Sequence, residues 1–503
     1  MTERDDTFRA LLDRMAVVSD LSQAHAVLSW DENTYMPEGA AEARGQQMAT
    51  LETVAHERLT DPALAELVAS LEAAGLPEGS VESATVRQAR RAVDRASKLP
   101  PALVEALGKH TARARAVWAR ARQENDFAAF APELARMLEL KREEADALGF
   151  EGHPYDALHD LHEPGSTAER VRAVFTPLRR ELTELVAEIR EAGSVIDDAV
   201  LHQAFDEAAQ ERFALDTVTA FGYDLEHGRL DRTVHPFATA LSKYDVRITT
   251  RYQGHFLNAA LFGTMHEAGH ALYEQGVADA YYRTPLEDTA SLGVHESQSR
   301  LWENLVGRGR DFWEGAYPRL QRTFPAQFGR VGLDTFYAAV NRVEPSLIRV
   351  EADEVTYNLH IMLRFELELA LLEGSLAVHD LPEAWNRGMQ DMLGITPDSD
   401  ATGVLQDVHW SIGLIGYFPT YALGNLISVQ LFEAARAAHP QIPREIRAGR
   451  FGTLLGWLRD NVHRHGARYL PDELLRRATG SPLDAGPYLR YLRAKYGELY
   501  GLA

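Results

Sequence analysis

The 503-residue chain contains no cysteine. That excludes disulfides, thiolate metal ligands and cysteine nucleophiles, and it suits a reducing, cytoplasmic setting. Lysine is almost missing as well. Lys98, Lys109, Lys141, Lys243 and Lys495 are the whole set, so arginine carries nearly all the positive charge. Positive charge is outnumbered in any case, with 52 basic against 74 acidic residues and a formal net charge of −22. A surface of that sign repels nucleic acid and anionic lipid, so neither is expected as a partner. The first residues, Met1-Thr-Glu-Arg-Asp-Asp6, are polar and acidic rather than basic and then apolar, which is not the order of a secretory leader. No apolar run is long enough to span a bilayer. The longest, near Ser411 to Ile427, is interrupted by Pro419 and three glycines. What remains, 45% hydrophobic and 25% charged, is the composition of a globular protein.

The patterns that are present are helical. Over residues 166–193, Ser166 and Glu169 fit a capping box, in which each satisfies a free backbone N–H at the helix start. Val171, Val174, Leu178, Leu182, Leu185, Val186 and Ile189 then recur at helical spacing, and Gly193 supplies a stop. Pro177 within this run predicts a kink or a restart. Similar amphipathic segments cover roughly 6–27, 40–76, 82–97, 101–123 and 130–148. Val246-Arg-Ile-Thr-Thr-Arg-Tyr252 is β-branched and aromatic, which suits a short strand, and helices resume near Leu257. No Ser/Gly/Pro-rich linker divides the chain. The expectation is therefore a mostly α single domain over residues 1–503. Its N-terminal helices, about 1–210, form a wall or lid, and the catalytic half covers about 211–503.

One short motif carries chemistry. Residues 262–275 read Phe-Gly-Thr-Met-His-Glu-Ala-Gly-His-Ala-Leu-Tyr-Glu-Gln. On a helix, His266 and His270 are four apart, so both imidazoles leave one face and can share an ion. Glu267 lies about 100° around the helix from His266, near enough to take a proton from a water that the ion activates. A hydrolytic zinc needs a third protein ligand and an open fourth position. Val294-His-Glu-Ser-Gln298, downstream of a loop long enough to turn the chain back, offers Glu296, at a distance from His270 that fits a ligand on the next helix; His295 competes but points to a different helix face.

Further along, Gln406-Asp-Val-His-Trp410 precedes Tyr417-Phe-Pro-Thr-Tyr421. His409 and Tyr421 could donate hydrogen bonds to a developing oxyanion, or simply pack in an aromatic core. Arg349 and Arg247 each have the fork that grips a carboxylate, and each also lies beside acids that suit a structural ion pair.

Taken together, these residues resemble the thermostable carboxypeptidase Taq family of zinc metallocarboxypeptidases. The resemblance spans almost the whole chain. It runs from Trp30-Asp-Glu-Asn-Thr-Tyr-Met-Pro37 and Tyr155-Asp-Ala-Leu-His-Asp-Leu-His-Glu-Pro164 through His235-Pro-Phe237 and Asp245-Val-Arg-Ile-Thr249. It continues in His266-Glu-Ala-Gly-His270, His295-Glu-Ser-Gln298, Ile348-Arg-Val-Glu-Ala-Asp353, Gly403-Val-Leu-Gln-Asp-Val-His-Trp410 and Thr479-Gly-Ser-Pro-Leu483. It implies a large helical fold with a long groove, a small β-sheet beside the zinc helices, and a homodimer. It also implies removal of single residues from the free C-termini of peptides with broad preference, proline being disfavoured. Zinc is the implied metal, with cobalt able to substitute. By the same resemblance His266, His270 and Glu296 are ligands and Glu267 is the general base. Arg349 and Arg247 are candidates for the substrate carboxylate, and His409 and Tyr421 for the oxyanion. The competing readings are a zinc oligopeptidase that cuts within short peptides, and a peptide-binding scaffold without catalysis.

Overall fold

Four helices open the chain in the computed structural model, which describes residues 3–502. They are α1 (Glu3–Glu32), α2 (Ala41–Leu59), α3 (Pro62–Ala73) and α4 (Val81–Lys98). The apolar pattern over 40–76 is thus two helices rather than one. Pro62 cannot donate to a continuing helical ladder, and the Asp61 carboxylate accepts from Ala63 N at 2.9 Å to cap α3. Leu11 and Met15 of α1, Leu64 and Val68 of α3, and Val86 and Val93 of α4 form a shared core.

α5 (Pro101–Glu124), α6 (Phe127–Leu148), α7 (Pro154–Asp160), α8 (Ala168–Glu191) and α9 (Glu207–Phe221) follow. α8 starts later than the expected capping box. Ser166 N is engaged by Glu163 O in the preceding turn at 3.1 Å, so Thr167 becomes the cap and its Oγ accepts from Arg170 N at 3.3 Å. Pro177 is taken up inside this helix without ending it, and Gly193 adopts φ 64° just past its end.

Three strands come next: β1 (Gly228–Arg232), β2 (Ala238–Ser242) and β3 (Asp245–Thr250). They form one sheet of order β1-β3-β2, with β1 parallel and β2 antiparallel to β3. Val246 and Ile248 of β3 are fully buried. α10 (Leu257–Gly276) packs against β3, α9 and α11 (Leu292–Arg300). The strand expected near Val246 and the helix expected from Leu257 are both present, and the fold is mostly α with this small sheet.

The segments gather into two compact units. The first comprises the chain up to Ser97, Asp197–Val340 and Ile427–Leu483. The second comprises Lys98–Ile196, Asn341–Leu426 and the chain from Asp484. In the second unit α6 lies against α5 and α7, and the helix Tyr357–Glu373 is almost wholly buried. Among the described residues no helix is long and apolar enough to cross a membrane.

Candidate metal centre

His266 and His270 lie one turn apart on α10, in the first unit. Their Nε2 atoms are 3.6 and 3.4 Å from the same oxygen, Oε2 of Glu296 on α11. Two donors bound to one tetrahedral zinc, each at about 2.0–2.2 Å, sit about 3.4 Å apart. The observed spacing therefore fits such an ion, and two imidazoles with one carboxylate are a hydrolytic donor set. One ligand atom from each of the three residues lies within 4.8 Å of the others.

Local sequence explains how α11 reaches this position. Ser291 Oγ accepts from Val294 N at 3.0 Å and starts the helix, so Glu296 falls on its second turn. Gly269, inside the histidine motif, lets the two helices touch. A Cβ at that position would stand 2.5 Å from both Gln298 O and Ser299 Cα. The Glu296 carboxylate is then fixed by Arg300 Nε on Oε1 at 2.7 Å and by Ser299 Oγ on Oε2 at 3.1 Å.

The electrostatics differ from residue to residue. Burial pushes Glu267 up to about 7, against the pull of His266 and helped by Glu296. Burial also opposes ionisation of Glu296, but Arg300 and His266 outweigh it and hold that carboxyl well below the usual range. Burial and then His295 push His270 down to about 3, so its imidazole is neutral. Neutral imidazole and ionised carboxylate are the forms that bind a metal.

His295 does not join the three. Its ring stacks on His270 at 4.3 Å between centroids, and its Nε2 lies 2.9 Å from Glu274 Oε1. Glu303 escaped the sequence reading. It stands 3.0 Å from His266 Nδ1 on a wide π-helical turn, Leu301–Gly307, that continues α11. The spacing Glu296-Arg300-Glu303, four residues and then three, was the available signal.

Arg247, also in the first unit, projects from β3 and spends its fork on Asp245, with Nε to Oδ1 at 2.8 Å and Nη2 to Oδ2 at 2.7 Å. Its guanidinium lies 4.2 Å above the Trp30 ring.

The second unit holds the remaining candidates. Arg349 donates from Nε and Nη2 to Asp407 Oδ1 at 3.0 and 2.8 Å, and from Nη1 to Tyr357 Oη at 3.0 Å. Arg364, fully buried on the helix Tyr357–Glu373, donates from Nε to Asp407 Oδ2 at 2.6 Å. Two guanidiniums thus share one carboxylate. His409 Nε2 lies 3.2 Å from Tyr421 Oη. Burial pushes His409 down to about 3 despite Asp407, with Arg349 adding to the fall, so its ring is neutral near pH 7. Arg364 and Asp407 were not among the sequence candidates. Arg364 sits in the apolar run Leu363-Arg-Phe-Glu-Leu367, and only the fold shows that it is buried.

Three comparisons bear on this arrangement. A family model described as carboxypeptidase Taq (M32) metallopeptidase matches residues 10–496. The chain is similar to "Thermostable carboxypeptidase 1" of Thermus thermophilus, 45% identical over 98% of this chain and 99% of the relative. It is also similar to "Carboxypeptidase 1" of Bacillus subtilis, 38% identical over 98% of each chain. Among solved structures, the M32 carboxypeptidase from Deinococcus radiodurans R1 superposes with a TM-score of 0.95. That match has 43% identity over 99% of this chain and 100% of the other.

Proposed function

The chain belongs to the carboxypeptidase Taq (M32) metallopeptidase family and is a metallocarboxypeptidase, and from that premise we propose that zinc, held by His266, His270 and Glu296, is its metal. Peptides are the substrates, and in this reading single residues leave from a free C-terminus. The observation that carries the metal assignment is the convergence of two Nε2 atoms on one Glu296 oxygen, at 3.6 and 3.4 Å. When bound, the ion supplies Lewis acidity to a water and to the peptide carbonyl. Glu267, next to His266 and held near neutrality by burial, accepts the proton of the attacking water and returns it to the departing amine. His409 and Tyr421 serve as hydrogen-bond donors to the substrate. Their support comes from within the second unit, where a neutral imidazole and a phenol lie within hydrogen-bonding distance.

Arg349 is the favoured partner for the substrate carboxylate, since it and Arg364 together outnumber the one acid they share. Arg247 has less support because Asp245 matches its charge one for one. Cobalt is able to substitute for zinc, the protein pairs as a homodimer, and it works in the cytoplasm, where a chain without cysteine is at home. Both units serve one peptidase domain, in keeping with a family model that runs through both.

Mass spectrometry of a peptide mixture incubated with zinc-loaded protein tests the reaction. The expected product is a ladder of C-terminal truncations, with amidated peptides cut only slowly. Cleavage within peptides, indifferent to amidation, would replace this reading with the oligopeptidase one.

A further inference from the structure

Glu303 takes no part in the peptidase chemistry outlined above, yet it is buried and its Oε2 lies 3.0 Å from His266 Nδ1. A neutral imidazole carries hydrogen on one ring nitrogen and a lone pair on the other. A carboxylate at Nδ1 accepts that hydrogen and leaves the lone pair on Nε2. Nε2 is the atom of His266 that stands 3.6 Å from Glu296 Oε2. Glu303 therefore favours the one tautomer in which His266 can be a ligand on that side.

Glu303 is itself held at both oxygens. Arg300 Nη1 lies 3.3 Å from Oε2, and Arg308 Nη2 lies 3.3 Å from Oε1. Arg300 also grips Glu296 through Nε at 2.7 Å, so one guanidinium ties a proposed ligand to the carboxylate behind another. The backbone makes this possible. Glu296, Arg300 and Glu303 follow one another at helical spacing, and the wide turn Leu301–Gly307 carries the last of them. π-turns within helices cluster at functional sites. This one is pressed onto α10 beside His266, since a Cβ at Gly307 would lie 2.4 Å from Met265 Sδ. His270 is placed differently, by stacking on His295.

We propose that Glu303 is a positioning residue of the metal centre. It sets the tautomer and ring plane of His266 from the π-turn, and Arg300 couples it to Glu296. The inference rests on the reading that His266, His270 and Glu296 hold a divalent metal.

The test is zinc affinity of the full chain, measured by competition with a chromogenic chelator, together with the visible absorption spectrum of the cobalt-loaded protein. Glu303→Ala is expected to weaken zinc binding by roughly 10–100-fold and to shift the cobalt bands. Glu303→Gln keeps a neutral acceptor and is expected to lose less, though measurably. A bracing role without influence on His266 would lower the melting temperature and leave affinity and spectrum untouched. Parent-like affinity and spectrum in Glu303→Ala overturn the proposal; if that variant does not fold, the same result in Glu303→Gln overturns it. Glu296→Ala is the control for the underlying reading. If it binds zinc as tightly as the parent, the ligand assignment fails first, and the inference with it.

Discussion

Around the two histidines of α10 the buried acids are Glu267, Glu296 and Glu303, with Arg300 and Arg308 between them. Around Asp407 the excess runs the other way, with one carboxylate shared by Arg349 and Arg364. Buried charge is costly unless it is matched, so a cluster that keeps a surplus of one sign is suited to a guest of the other. By that reasoning the first unit is fitted to a cation and the second to an anion.

The largest effect expected from disturbing either cluster is at Glu267. If Glu267 is the proposed base and not one of the proposed ligands, Glu267→Gln should keep its metal while turnover falls by about a hundredfold or more. Elemental analysis beside steady-state kinetics checks both halves. A variant nearly as active as the parent would remove Glu267 from the mechanism.

A comparable effect is expected in the second cluster. Arg349→Met should reduce kcat/KM for free-carboxylate peptides by the equivalent of about 2–5 kcal/mol, the scale for losing one partner of a buried charge pair. Zinc content and the slow turnover of amidated peptides should hardly change. Equal losses on both kinds of peptide would mean that the second cluster supports the fold and not the substrate.

The last effect, read as stability, comes from Asp407. Burial raises its pKa, but Arg349 and Arg364 outweigh burial and hold it well below the ordinary aspartate range. A carboxyl depressed in the fold stabilises it above the unfolded value, about 3.9, and that stability is lost as pH falls below it. The melting temperature should therefore drop steeply below about pH 4. Asp407→Asn should begin lower and fall less. Parallel slopes would show that the arginine pair is not what ties stability to acid.

How far each region could be read beforehand follows the same division. The metal pair, the helix from Leu257 and the strand near Val246 were legible because each is a local pattern of a few consecutive residues. Glu296 was preferred over His295 for its distance from His270, and the fold sets its oxygen, and not His295, between the two Nε2 atoms of α10. Glu303 left only a faint trace, its helical spacing from Glu296 and Arg300, because its partner lies 37 residues away and nothing local points to it. Asp407 and Arg364 stayed hidden for a related reason. Each looks like a common surface residue until Tyr357–Glu373 proves to be buried on nearly every side. The break at Asp61-Pro62 was readable from cap and proline chemistry, and the apolar spacing across 40–76 obscured it.

The order in which the first unit is made has a consequence for metal loading. His463, from its last segment, donates from Nε2 to Gln298 Oε1 at 2.9 Å, two residues from Glu296. It also packs so closely on α10 that a Cβ at Gly276 would lie 2.6 Å from its own Cβ. A ribosome adding about 5–20 residues per second takes roughly ten to thirty seconds to pass from Arg300 to His463. Throughout that interval both histidines and Glu296 exist without the segment that braces them. The finished geometry becomes available only late in synthesis, so ion selection by geometry belongs to the completed chain, and a nascent one can discriminate among cations only by its donor atoms.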